Sequence, residues 1–286
     1  MFRVIRDLYR NDGRFAFGFT VLVFFVVISF VSLLSPYDMR AWNAVPRDLR
    51  PSSKYPLGTN SIGQDIMWQA MVATKNSLLL GVIAATISRV IAIVVGLLSG
   101  YKGGLFDRIV MVLTDSFIIL PMFPILILIA TILRSSLNMV VLGVVIGLYG
   151  WAWDARLFRS QILSLKEREF TRTAVFSGLG TFKIVLTEHL PYIIPLVMST
   201  VINNMIWVIG MEVTLSQLGL SNLNTPTIGT MIYWALQYQA IFLERWNWIL
   251  TPVTICVVLI LGLYMLSTSI SEYLDPRTRL QMIRKG

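Results

Sequence analysis

Arg89, Asp115, His189, Asn203, Asn204, Glu212 and Cys256 are chemically active side chains set in long apolar surroundings. A charge inside hydrocarbon costs about 2.5–3.5 kcal/mol on an insertion scale, so Arg89 and Asp115 must face protein or water. The two can satisfy each other as a structural ion pair. The adjacent amides of Asn203 and Asn204 can exchange hydrogen bonds with a polar solute in a wet pathway, or with a neighbouring helix. Glu212 can meet a cationic substrate group or cap a polar loop. His189 reads as a surface or capping residue, since a proton relay needs a buried chain of partners. Cys256 reads as a small apolar filler. One histidine and one cysteine make neither a His-rich metal site nor an internal disulfide. With no nucleophile pair or metal set in the apolar runs, an intramembrane enzyme is disfavoured. The chain also has no G-x-x-x-x-G-K-[ST] loop, so ATP cannot be held by that device.

The elements that carry these residues follow from composition. Of 286 residues, 56% are hydrophobic and 14% charged, and the mean hydropathy is +0.71. That is more apolar surface than one soluble core can bury, so the fold class is an all-α integral membrane protein. A helix needs about 20 apolar residues to cross a ~30 Å hydrocarbon layer. Six runs qualify: 17–34, 77–100, 109–133, 137–153, 190–211 and 246–271. The first follows Arg3, Arg6, Arg10 and Arg14, with no small-residue cleavage site after it, and reads as a retained anchor. The uncharged stretch 213–243 is too polar and broken to span; it reads as a loop whose short helices dip into the membrane. Sixteen of the 24 Lys and Arg fall on one side of this layout, seven on the other and Arg89 within a span. Both termini are therefore expected in the cytoplasm. Spread over four loops, this charge is not a nucleic-acid stripe. The layout divides at 1–76 (N-terminal segment, first span and outer loop), 77–276 (a five-helix core) and 277–286 (a cytoplasmic tail).

Residues 154–189 alternate charged and apolar positions and predict short amphipathic helices at the membrane surface, broken at Gly178 and Gly180 and restarted at Pro191. Within them, Arg172-Thr173-Ala174, three residues, Gly178, and then Leu190-Pro191 resemble the EAA signature of permease subunits of ABC importers. In that family the loop between spans four and five is a coupling helix docked on an ATPase. The resemblance assigns ATPase coupling to Arg172, Thr173, Ala174, Gly178, Leu190 and Pro191, around a helix over 166–181. Arg172 stands where the motif has Glu; Glu169, on the same helix face, is a candidate to share its docking.

Further stretches narrow the resemblance. Tyr55-Pro56-Leu57-Gly58-Thr59-Asn60, followed by Gly63-Gln64-Asp65, resembles the hPLGTDxxGRD box of dipeptide, oligopeptide and nickel permeases, with Asn60 and Gln64 in place of Asp and Arg. Gly100-Tyr101-Lys102-Gly103-Gly104 with Asp107, Leu215–Leu220, and Leu274-Asp275-Pro276-Arg277 resemble other boxes of that group. The overall pattern looks like its second, C-type permease. The resemblance implies a type I ABC importer permease in the cell membrane that forms half of a pathway for di- or oligopeptides. Its implied partners are a second permease, two ATPase subunits that bind ATP and Mg, and an extracytoplasmic substrate-binding protein, with no cofactor in this chain. The alternatives are oligosaccharides or nickel complexes as cargo, or an ion-gradient-driven secondary transporter.

Overall fold

The computed structural model describes residues 2–133 and 138–274, which are helical apart from loops and one isolated antiparallel bridge between Thr59 and Asp65. The tail 277–286 and most of the Leu274–Arg277 box lie outside the described residues.

The N-terminal helix α1 (Phe2–Asn11) runs into α2 (Gly13–Val31), which is N-capped by the Asp12 carboxylate. That carboxylate also accepts a 2.7 Å hydrogen bond from Ser269, and Arg14 donates to Glu272 at 2.8 Å. Both contacts lock α2 to the last helix, α12 (Trp246–Leu274). Higher up, α2 and α12 meet through glycines: a Cβ on Gly18 would lie 2.4 Å from the Gly262 carbonyl oxygen. Between α2 and the third helix, residues 35–65 form a folded loop. Asn60 and Gln64 are buried in it together with Gln69. Asn60 Nδ2 donates to Gln69 Oε1 (3.0 Å), Gln69 Nε2 to Gln64 Oε1 (2.7 Å), and Gln64 Nε2 to the Met39 carbonyl (2.8 Å). Three neutral amides thus satisfy one another. Asp65 closes the loop as the N-cap of α3 (Ile66–Lys102). Burial pushes its carboxyl above the ordinary aspartate range, against the pull of the Met67 and Trp68 amides.

Helix α3 is the axis of the bundle, in contact with α2, α4 (Gly104–Ile119), α6 (Met139–Tyr149), α7 (Ala152–Lys166), α10 (Leu190–Gln217), α11 (Ile228–Gln237) and α12. Its closest partner is α7. Gly96 and Gly100, one turn apart, admit the α7 backbone: a Cβ on Gly96 would stand 2.6 Å from the Ala155 carbonyl oxygen. This is the small-residue spacing that lets membrane helices approach closely.

Two expected spans are interrupted. The third bends by 80° at Leu120–Pro121, between α4 and α5 (Met122–Ile132), because Pro121 has no N–H to continue the ladder. The fourth bends by 45° between α6 and α7, at Gly150 and Trp151. Residues 154–166, read from sequence as surface beyond the fourth span, lie in α7, which follows α6 after this bend as the second half of a broken span or of a re-entrant loop. Their charges are tolerated because each meets a partner within the protein. Four described helices are long and apolar enough to cross a membrane, or up to six if each bent pair is one span. Helix α10 runs six residues past the expected end of its span, and the polar stretch after it folds as a loop followed by α11, ten residues long and too short to span.

Gly96→Val should therefore drive a side chain into the α7 backbone and lower stability by about 1–3 kcal/mol. Gly210→Ala, where an added Cβ meets nothing within 4 Å, should be neutral or slightly stabilising. Thermal unfolding of the two purified variants checks the contrast.

Candidate functional site

The two breaks face each other across a cleft of about 400 Å³. One wall comes from the α4–α5 break (Phe117, Ile118, Leu120, Met122) and a second from the α6–α7 break (Tyr149, Gly150, Trp153, Asp154, Leu157). The third is a stripe of α10: Thr200, Asn203, Asn204 and Trp207. Non-helical backbone at membrane depth persists only where protein covers it or a wet cavity receives it, and a cleft beside both breaks suits that requirement. The lining is mainly apolar, aliphatic and aromatic, with a few polar groups, the composition of a solute site. Asn203 is exposed on this wall; Asn204 is buried beside Gly150, whose missing side chain leaves room for its amide and for Trp207.

Arg89 secures the second break. Its side chain is 4% exposed, and it forms an ion pair with Asp154 in the first turn of α7. The same guanidinium donates to Ser88 Oγ (3.0 Å) and to the Gly150 carbonyl at the end of α6 (3.4 Å). One cation therefore bridges a carbonyl end and an acidic first turn, the two helix termini that a break leaves exposed.

The Arg89–Asp115 pair expected from the sequence does not form. Asp115 instead pairs with Arg156 at 2.5 Å. Helix α7 lies against both α3 and α4 and supplies a partner to each, so it takes the place the two residues would have shared. One turn further along α7, Arg159 makes a two-pronged contact with Asp107, 2.6 Å on each prong.

Glu212 does not line the cleft. It is fully buried, and its carboxylate accepts from Ser216 Oγ (2.7 Å), Thr227 Oγ1 (2.5 Å) and the Gly229 amide (3.3 Å). Of the two roles open to it in sequence, this geometry is the cap: Glu212 holds the first turn of α11 and the polar loop before it. Gly229 allows the approach, since a Cβ there would fall 2.8 Å from Glu212 Oε1.

At the other end of α7 lies a short helix α8 (Glu169–Phe176), buried on one face at Thr171 and Ala174. Glu169, Arg172 and Thr173 are exposed on it, and Arg172 approaches Glu167 at 3.8 Å rather than Glu169. Ala174 is buried, while Phe176 is 90% exposed. Gly178 ends α8 at φ +74°, a conformation that favours glycine. The chain then passes through α9 (Thr181–Lys183) and a π-helical turn (Ile184–His189) into α10, where half-buried Leu190 and exposed Pro191 form the first turn. His189, expected as a surface or capping residue, stands at the N-cap position of α10 without capping through its side chain, and it is fully buried between Tyr101 and Phe170, meeting Thr171 Oγ1 at 2.9 Å. It pins α8 to α3 and α10. Nothing in its sequence neighbourhood signals this burial, since the rings it packs against, Phe170 and Tyr101, lie 19 and 88 positions away.

Residues 92–280 match the family described as the binding-protein-dependent transport system inner membrane component. This chain belongs to that family. As a member it is a multi-pass membrane protein and a transport subunit, not an enzyme. It is 30% identical to the oligopeptide transport system permease protein OppC of Mycobacterium tuberculosis, over 99% of this chain and 96% of that one. It is also 30% identical to OppC of Lactococcus lactis subsp. lactis (91% and 88% covered) and 28% identical to the dipeptide transport system permease protein DppC of Bacillus subtilis (84% and 78%). The family match covers both breaks, all of α7 and α8, and the polar stripe of α10.

Arg89→Leu or Asp154→Leu should each leave an uncompensated buried charge and cost about 3–5 kcal/mol, whereas the double variant should recover most of that loss. Membrane yield and thermal unfolding of the three variants measure the recovery.

Proposed function

We propose that this chain is the C-type permease of an ATP-driven peptide importer, providing half of the pathway for di- or oligopeptides handed over by an extracytoplasmic binding protein. A second permease completes the pathway, and two ATPase subunits hold ATP and Mg. The peptide cargo follows from the relatives, whose names are those of oligopeptide and dipeptide permeases.

One observation carries the mechanism: the cleft between the two broken spans is joined by a single helix, α7, to the exposed α8. On this reading α8 is the coupling helix. Phe176 and Val175 are apolar groups 90% and 53% exposed, and Arg172, Glu169 and Thr173 lie beside them on the same short helix. Ala174, Leu190, Pro191 and Gly178 set the shape of its base. The excess of Lys and Arg puts this end, with both termini, in the cytoplasm. Thr200, Asn203 and Asn204 present neutral hydrogen-bonding groups along the path, opposite the aromatic wall of Phe117, Tyr149 and Trp153. Neutral amides and aromatic rings suit a peptide backbone with varied side chains.

Reconstitution in liposomes of the two permeases, two ATPases and the binding protein tests the reading. Peptide uptake should require both ATP and the binding protein, and Asn203→Leu should lower it with normal expression. Uptake of oligosaccharide or nickel complexes in place of peptide would overturn the cargo. Uptake driven by an ion gradient with the ATPases omitted would overturn the mechanism.

A further inference from the structure

The apolar hold of helix α4 on its neighbours is concentrated in its last turn, where Phe117 and Ile118 pack on the cluster around Trp151. Thr114 is its one buried residue, and Leu105, Ile109, Val112, Leu113 and Ile119 are all more than half exposed. It touches α3 and α7, and its polar links to α7 are the ion pairs Asp107–Arg159 and Asp115–Arg156. These lie eight residues apart on α4, about 12 Å of helix. A helix fixed at two separated points cannot swing about either one. The upper pair sits just below the residues Phe117, Ile118 and Leu120 that line the cleft. Across the cleft, α7 ends at Trp153 and Asp154, in the opposite wall. At its other end, Lys166 Nζ donates to the Tyr101 carbonyl of α3 at 2.9 Å, immediately before α8.

We propose that Asp107, Arg159, Asp115 and Arg156 are positioning residues that clamp α4 to α7, so that a displacement of α8 moves both walls of the cleft as one lever. The clamp is ionic rather than apolar for a physical reason. Apolar contacts between helices compete with equally apolar lipid, whereas a guanidinium–carboxylate pair selects its own partner among the neighbouring helices. With the clamp broken, α7 follows α8 while α4 stays with its surroundings, and only one wall of the cleft responds. This inference rests on the reading of α8 as the coupling helix; the residues of the clamp touch neither the cargo nor the ATPase.

The experiment uses the complete reconstituted transporter and reads two quantities, ATP hydrolysed and cargo taken up. Asp107→Arg and Arg159→Asp, each alone, should keep hydrolysis while cargo moved per ATP falls by about tenfold, within the usual range of a coupling free energy. The exchanged pair, Asp107→Arg with Arg159→Asp, should restore the ratio, as should Asp115→Arg with Arg156→Asp relative to its single variants. If a single reversal does not assemble, Asp107→Cys with Arg159→Cys in a Cys256→Ser background replaces it. That variant should be uncoupled as free thiols and recoupled by a short thiol-to-thiol crosslinker. Hydrolysis and uptake falling together at constant ratio would overturn the lever, since that is the signature of lost structure alone. An unchanged ratio in the single variants would overturn it equally. A wild-type complex that moves some cargo other than peptide refutes the peptide reading, and the ratio is then read with that cargo.

Discussion

A helix broken inside a hydrocarbon layer leaves amide and carbonyl groups that lipid will not accept, and the rest of this structure depends on how the break at Gly150 is satisfied. Arg89 reaches it from α3, takes the free carbonyl of Gly150 and pairs with Asp154 on the far side. The arrangement costs the burial of two charges, and continuum arguments give such a pair little net stability. Its value is geometric. Removing either charge leaves the other stranded, so the bend between α6 and α7 has one satisfied arrangement, and the cleft wall is fixed with it.

From that point the architecture follows by contact. Gly96 and Gly100 let α7 lie on α3 at backbone distance, so the segment beyond the break stays parallel to the bundle axis. Ion pairs then fasten α4 to α7, and His189 fastens α8 to α3 and α10 through Tyr101 and Thr171. At the opposite end, Glu212 and Ser77 receive the first amides of α11. Polar contacts thus occur where segments stop or bend, and apolar clusters fill the lengths between them. The cleft occupies the region where neither solution is complete.

Much of this order was legible in the sequence. The anchor helix, the polar stretch after α10, the Gly178 break and the restart at Pro191 all carry local signals: charge-free length, Asn and Thr content, glycine and proline. Asn203 was read as a group for a wet wall or for a neighbouring helix, and the structure exposes it on the cleft wall. The break at Gly150 was not legible, because a glycine inside an apolar run gives no local sign of a bend. The packing of the charged stretch 154–166 was not legible because its partners, Arg89, Asp107 and Asp115, lie between 41 and 65 positions earlier. The same distance misassigned Arg89 to Asp115: both were recognised as charges in need of a partner, but the helix that separates them is placed by glycines on α3. Glu212 was read as a group for a cationic substrate or a cap of the polar loop, and its donors, Thr227 and Gly229, are visible only where α11 folds back onto it.

The central claim is that the cleft between the two breaks is the transport path, open in turn to each side of the membrane. Its most direct test is labelling of a single cysteine, Asn203→Cys in a Cys256→Ser background, in the complete transporter, with a thiol reagent that cannot cross the membrane. The account predicts reaction from the α8 side without nucleotide, and from the opposite side when ATP is bound but not hydrolysed. Labelling confined to one side in both states, or no labelling in either, would contradict it.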